Sequence, residues 1–583
     1  MILLVGINAK YIHSNLGIYC IEAYANEHGI GKDELKLCEY TINQNEVTIL
    51  ADIYENKPDM VAFSCYIWNI EYVLRISREL KKVLPDTDIW CGGPEVSFDT
   101  EKLLGKNMWL KGIMSGEGEE TFFELAQYYM GILGRELKDI DGISYRDNDV
   151  VTVNKERDRM SMDDIVFPYK DIEALKNRII YYETSRGCPY GCSYCLSSVE
   201  KKVRFRSLEL VEKELQFFID NKVKQVKFVD RTFNCNHEHT MAIWKYIGEH
   251  DNGITNFHFE LSADLLTEDE IALVSSFRPG LVQFEIGVQS TNPDTLRAIH
   301  RNHDLIGLKK NVSEVYEGRN IHQHLDLIAG LPYEDYETFR NSFNEVYDMK
   351  PDQLQLGFLK VLKGSPIHCD SDKYGIVCQD IPPYEVLHTD WLSFEDILKL
   401  KQVEDMVERY YNSMQFEASV KFMVQRADTP FDFFMQIGKF FHDKGYDAMQ
   451  QSRIGNYEIL YEFAKTKLGQ EDIKILEQLL IFDLYARENL KKRPEFIDYE
   501  NGIPDKEFIR EFYQNQENVK RFLEIYDGYD WKQLSRMTHI EIFDYDILGF
   551  METGVCTARK NIYIFDYIYR NPLDNQARIS KIK

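Results

Sequence analysis

No run of apolar residues in this chain is long enough to cross a bilayer. The opening MILLVGINAKYIHSNLG has no basic region ahead of its short apolar run and no small-residue cleavage site after it. It predicts a buried first strand, not a secretion signal, and the expected location is cytoplasmic, with no membrane partner. Basic charge is in deficit: 69 Lys and Arg against 96 Asp and Glu leave a net charge of −27. Such a chain has no surplus to displace counterions from phosphates, which argues against a nucleic-acid partner. The short basic group Lys201, Lys202, Arg204 and Arg206 reads as a solvated face. No G-x-G-x-x-G follows the first predicted strand, so dinucleotide binding has no fingerprint. Short-period repeats and low-complexity stretches are also missing.

Cysteine is scattered and then abruptly dense. Of 11 cysteines, those at 20, 38, 65, 91, 235, 369, 378 and 556 lie far apart, which is no disulfide framework for a chain of 583 residues. The other three, Cys188, Cys192 and Cys195, crowd into RGCPYGCSYC with the spacing C-x₃-C-x₂-C. In a reducing compartment that density means a metal. Three thiolates leave one iron of a four-iron cubane open, and an open metal position can take a substrate. Gly187 and Gly191 let the loop wrap closely, and Tyr194 offers a flat ring beside the last cysteine. A zinc knot is the alternative; it needs a fourth ligand, for which Cys235 is the candidate.

The chain around this loop divides into four stretches. Residues 1–135 alternate strand and helix, the rhythm of an α/β doubly wound parallel sheet whose ligand site lies beyond the carboxyl ends of its strands. Residues 136–178 predict a linker, with a hairpin at DGISYRDNDVVTVN. Between 179 and 384, six strand candidates each precede a helical stretch: IIYYETSRG, QVKFVDRT, HFELSAD, LVQFEIGVQS, HQHLDLIAGLP and LQLGFLKVL. Six such units fit a partial (β/α)₆ TIM-type barrel, with reacting groups at the strand ends. Residues 385–583 predict a mostly helical domain rich in Tyr and Phe, with one strand at ARKNIYIFDYIYR.

C-x₃-C-x₂-C after the first strand of a partial barrel resembles the radical S-adenosylmethionine (SAM) superfamily. The resemblance implies a [4Fe-4S] cluster on Cys188, Cys192 and Cys195, with SAM chelated at the open iron and cleaved to a 5′-deoxyadenosyl radical. It also implies roles along the strand ends. Tyr194 is similar to the adenine contact, and Asp230 takes the place of a GGE glutamate that accepts from the SAM amino group. Glu260 and Gln289 resemble ribose or methionine contacts, Arg301 a partner of the SAM carboxylate, and Asp326 the fifth-strand acid near the ribose.

The first 135 residues add a second resemblance. NAKYIHSNLG, SCYIWN, CGGPEVS and GEGEET resemble the cobalamin-binding module that precedes the barrel in one radical SAM subgroup, over about residues 1–370. The implied cobalamin contacts are Tyr11, His13, Ser64, Trp68, Asn69, Gly92, Gly93, Pro94, Glu95, Gly116, Glu117, Gly118 and Glu119. Capping duty for the acids of GEGE at a helix start is the bland alternative. D-x-H-x-x-G is missing, since Tyr11 stands two positions before His13. The expectation is base-off cobalamin with no histidine on cobalt.

The implied activity is that of a cobalamin-dependent radical SAM enzyme, in the first place a methyltransferase moving a methyl group from methylcobalamin to a substrate radical. A rearrangement, cyclisation or cleavage without methyl transfer is the alternative within the class, and a corrinoid or redox sensor the alternative outside it. The resemblance implies a small-molecule or peptide substrate and a reductant such as flavodoxin or ferredoxin. No residue identifies the catalytic groups that face the substrate.

Overall fold

The computed structural model describes residues 1–582 except 133, 491, 498, 500, 501, 503, 524, 525 and 527. Its first unit is a parallel sheet of β1 (Ile2–Asn8), β2 (Leu35–Thr41), β3 (Met60–Ser64), β4 (Asp88–Gly92) and β5 (Gly112–Met114), in the order β2-β1-β3-β4-β5. All seven residues of β1 are buried, because a central parallel strand is covered by helices on both faces. The order reverses between β1 and β3, so their carboxyl ends flank the topological switch point where such sheets take ligands. The hairpin expected in a linker is instead the sheet's edge: β6 (Ile143–Asp147) pairs antiparallel with β5, and β7 (Val150–Val153) with β6.

The second unit is the six-stranded partial barrel. Strands β8 (Ile180–Tyr182), β9 (Gln225–Phe228), β10 (Asn256–Leu261), β11 (Val282–Gln289), β12 (His322–Ala329) and β13 (Gln353–Phe358) lie side by side in sequence order, all parallel. Their period-2 pattern turns Val282, Phe284, Ile286 and Val288 of β11 into the core, while Glu285 and Gly287 face the lumen cavity. A closed TIM barrel fills its interior with branched apolar side chains; this lumen carries charge instead.

The last unit packs helices such as Phe394–Met406, Pro430–Asp443 and Gln470–Arg487 against the barrel's open side, sharing one apolar core with it. A π-helical turn, Val407–Asn412, lies against β13, where Asn412 bonds both the N–H and the carbonyl of Leu354. The helical expectation needs one correction. ARKNIYIFDYIYR is the centre of a three-stranded antiparallel sheet of β14 (Thr538–Tyr545), β15 (Ala558–Arg570) and β16 (Ala577–Lys581). The outer strands take their pairing from the central one, Arg570 with Ala577 and Tyr545 with Ala558, and that pairing is not reported by local propensity. Among the described residues no helix is long and apolar enough to cross a membrane.

Candidate functional site

The cysteine loop leaves β8 and is clamped on every side. Thr184 donates through its N–H and hydroxyl to Asp230 at the end of β9, and Ser185 donates to the same carboxylate at 2.6 Å. Ser185–Arg186 then pairs antiparallel with Arg204–Phe205. Gly187 has φ +99°, and a Cβ there would lie 2.4 Å from the Lys202 carbonyl, so only glycine passes. Further along, Ser193 donates its N–H to Ile299 and accepts from Ile367.

One cavity at the strand ends gathers Cys188, Cys192 and Cys195 with Tyr194, Glu260, Gln289, Arg301 and Asp326. These are eight of the nine residues expected around the cluster and SAM. The exception is Asp230. It is 1% exposed, does not line the cavity, and is consumed by Thr184 and Ser185. Burial without a cation pushes its pKa up to about 6 despite the hydroxyl donors. Asp230 therefore braces the cysteine loop, and its neighbours Arg231 and Thr232 reach the cavity in its place. Cys235 is not on the lining either, so the fourth zinc ligand weighed for it does not reach the cavity.

The thiols fit a cluster better than a single ion. Among the described residues, the one trio of ligating atoms all within 4.8 Å of each other is Glu285, His324 and Asp326, so the three cysteine sulfurs are spread too widely for one zinc. Arg301 joins the parts: Nη1 donates to Tyr194 Oη at 3.2 Å and approaches Cys192 Sγ at 3.8 Å, and Nη2 donates to the Gly287 carbonyl. Its Nε is buried without a partner, as is Oε1 of Gln289, which sits at φ +71° beside a bulge in β11. Orphaned polar atoms and left-handed backbone at a cavity wall are the marks of a site built for a ligand.

Deeper in the lumen the charges interlock. Lys227 donates to Glu285 Oε2 at 2.7 Å, with Glu260 3.8 Å from the same ammonium. Burial raises Glu285, but His258 and Lys227 outweigh it and hold its pKa well below the carboxylate range. Glu260 is pushed up to about 7 by burial and by Glu285. His303, on the wall near Arg301, is held neutral by burial, its pKa lowered to about 4. Glu285, His303 and the lumen histidines were not anticipated; HFEL sets His258 two residues from Glu260 and HQHLDL sets His322, His324 and Asp326 at the same step on one strand face, a signal the period alone carries, whereas His303 lies off the strands.

In the first unit, Tyr11 and His13 follow β1, Ser64 ends β3, and Trp68 and Asn69 follow it, so all five gather at the switch point. Tyr11 is 66% exposed and Trp68 43%, the latter stacked on Tyr66 at 4.4 Å and 6°. His13 Nδ1 bonds Tyr181 of β8 at 2.8 Å. Gly92 and Pro94 flank Gly93, whose φ is +111° and where a Cβ would strike the Cys65 carbonyl at 2.5 Å. An open rim of flat rings over glycine backbone suits a broad planar ligand.

Five expected cobalamin contacts are spent elsewhere. Asn69 is 1% exposed, donates to the carbonyls of Ile7 in β1 and Ser64, and accepts from the Tyr66 N–H. Glu95 is buried between Lys363 at 2.8 Å and Tyr384, beyond the last barrel strand. Glu117 pairs with Arg204 at 2.5 Å and Arg186 at 3.3 Å, and Glu119 with Arg186 at 2.6 Å. Gly118 packs where a Cβ would meet Ile21 at 2.7 Å. The exposed Gly116, at φ +82°, supplies the turn before these acids. GEGE is thus a docking loop against the barrel. Arg204 and Arg206, expected on a solvated face, are instead ion-paired, Arg206 to the buried Glu214 at 2.6 Å.

Comparison with known proteins follows the same division. Residues 2–126 match the B12 binding domain, 182–346 the Radical SAM superfamily, and 372–565 a protein of unknown function, DUF4080. The cobalamin-dependent radical SAM methyltransferase TokK of Streptomyces tokunonensis is 24% identical over 371 residues, 57% of this chain and 52% of that protein. The structure of OxsB, a cobalamin-dependent S-adenosylmethionine radical enzyme with aqua-cobalamin and S-adenosylmethionine bound, superposes with a TM-score of 0.59 at 15% identity, over 83% of this chain and 78% of that one. TsrM of Kitasatospora setae, a radical S-adenosylmethionine methyltransferase with cobalamin and a [4Fe-4S] cluster, gives 0.53 at 15% identity, over 66% and 78%. The chain spans about half the length of the TokK protein it matches. With a B12 binding sheet docked on a three-cysteine barrel, the chain joins a B12 binding domain to a Radical SAM superfamily domain and carries a DUF4080 region at residues 372–565.

Proposed function

We propose that this chain is a cobalamin-dependent radical SAM methyltransferase. The observation that carries the reading is the single cavity shared by Cys188, Cys192, Cys195, Tyr194, Gln289 and Arg301, on a barrel to which the B12 binding sheet is fastened by buried ion pairs. Bound there, a [4Fe-4S] cluster would supply the electron that cleaves SAM and cobalamin the methyl group. The chain's own part is positioning. The three thiols hold the cluster, with no fourth cysteine on the cavity wall to close its last corner. Arg301, Gln289 and Tyr194 line the same cavity and are the side chains offered to SAM. Tyr11, His13, Ser64, Trp68, Gly92, Gly93 and Pro94 form the face offered to a base-off corrin. A one-electron donor such as flavodoxin or ferredoxin completes the system, and the substrate is a small molecule or peptide.

The test is anaerobic turnover of the reconstituted protein with SAM labelled in its methyl group. Label in a product together with 5′-deoxyadenosine supports methyl transfer. 5′-Deoxyadenosine with an unlabelled, altered product assigns a non-methylating radical reaction instead. Absence of 5′-deoxyadenosine from cluster-loaded, reduced protein overturns the reading and leaves a sensor.

A further inference from the structure

The lumen below the cysteine cavity holds a second group of ligating atoms. Glu285 on β11 and His324 on β12 are register partners, and Asp326 stands two residues further along β12 on the same face. Each offers one ligand atom, and all three atoms fall within 4.8 Å of one another. His324 Nε2 lies 3.0 Å from Asp326 Oδ1, an ion pair when the imidazole is protonated but off the hydrogen-bond line, and neither buried atom has a hydrogen-bond partner. His324 is 7% exposed, so water does not reach that nitrogen freely. Two atoms about 3 Å apart and off the hydrogen-bond line are placed as neighbouring ligands of one ion with bonds of about 2.1 Å.

Charge points the same way. Glu260 and Glu285 share the ammonium of Lys227 at 3.8 and 2.7 Å, whereas Asp326 has no lysine or arginine in an ion pair with it and faces His324. Lys227 and His258 both sit on Glu285 Oε2, at 2.7 and 3.0 Å, which leaves Oε1 for another partner. Glu285 and Asp326 also line the cavity, so an ion between them would keep open positions toward whatever occupies it.

We propose that Glu285, His324 and Asp326 bind a divalent first-row transition-metal ion, separate from the iron–sulfur cluster, that anchors an oxygen or nitrogen donor of the substrate. One imidazole and two carboxylates form a borderline-to-hard donor set, suited to Mn²⁺, Fe²⁺, Co²⁺ or Zn²⁺ and not to the soft thiolate-seeking metals. The proposal gives Asp326 to the ion in place of the ribose contact that the family resemblance implies.

The test uses full-length protein with its cluster reconstituted, titrated with Mn²⁺ while the free ion is followed by its six-line EPR signal. Wild type is expected to remove about one Mn²⁺ per chain, and His324→Ala and Asp326→Asn to weaken binding by at least ~30-fold. Iron content and far-UV circular dichroism of each variant report that it folds and loads its cluster, and His324→Gln replaces His324→Ala if the latter does not. No uptake by wild type, or equal uptake by wild type and a folded His324 variant, overturns the proposal. Because the cluster's iron is counted separately, loss of this site and failure of the radical SAM reading give different results.

Discussion

Arg186, the residue that opens RGCPYGC, donates to Glu119 of the B12 binding sheet at 2.6 Å. The same guanidinium meets Glu183 of its own strand end at 2.6 Å and Glu117 at 3.3 Å. One cation thus ties the cysteine loop to the other unit's docking loop and meets three carboxylates, of which Glu117 also pairs with Arg204. Burial disfavours the charge, but Glu183 and Glu119 outweigh that cost and raise the pKa of Arg186 well above its usual value.

Removing that cation is expected to be far worse than removing one anion. Arg186→Met leaves Glu119 and Glu183 together in a largely buried space without their cation, at a cost of about 3–5 kcal/mol. Glu119→Gln leaves Arg186 two partners and costs about 1 kcal/mol. Urea denaturation of the two variants orders them; equal losses would show that the network contributes nothing as a unit.

Serine in place of Cys188, Cys192 or Cys195 is expected to abolish the cluster's visible absorption and bound iron. Cys235→Ser is expected to retain both in full, since Cys235 lies off the cavity wall. Iron loss in the Cys235 variant would make it the fourth ligand and close the corner that SAM requires.

Arg301 touches the Tyr194 hydroxyl, the Cys192 sulfur and the Gly287 carbonyl through two nitrogens of one plane. An ammonium cannot span that fork. Arg301→Lys is expected to keep the iron and slow 5′-deoxyadenosine formation by ~10²-fold, equivalent to about 3 kcal/mol. An unchanged rate at full iron loading would remove Arg301 from the SAM site.

Glu334 supplies a pH dependence. It is fully buried, accepts from Ser290 at 2.6 Å and Ser342 at 2.9 Å, has no cation beside it, and leaves Oε2 without a partner. Burial pushes its pKa from 4.5 up to about 7 against the two hydroxyl donors. Between those values the folded chain holds a proton the unfolded chain has lost. Stability from this group therefore falls as pH rises from about 4.5 to about 7, by about 3 kcal/mol in all, and levels off above. Glu334→Gln is expected to remove that slope, measured by urea midpoints at pH 5 and pH 8. An identical slope in the variant would mean Glu334 is already ionised at pH 5.

At the cobalt, the expectation is an EPR spectrum of the bound cob(II)alamin with no nitrogen splitting from the lower face. D-x-H-x-x-G is missing, since Tyr11 stands two positions before His13. Nitrogen splitting that disappears in His13→Ala would assign His13 to cobalt.

What the sequence by itself determined is what depends on local spacing. Three cysteines in eight positions and six strand–helix alternations placed the cluster loop and the barrel order, because a strand's period dictates which side chains share a face, while Tyr194, Glu260, Gln289, Arg301 and Asp326 were legible only through the family resemblance those motifs carry. What only the tertiary structure decided is which acids meet a ligand and which meet the protein. Asp230, Glu95, Glu117 and Glu119 stand in motifs that look like binding loops, yet each is claimed by a partner from another element: Thr184 and Ser185, Lys363, Arg204, and Arg186. A carboxylate's role is set by whichever donor or cation folding brings within hydrogen-bond reach, and those partners lie 45 to 268 residues away along the chain.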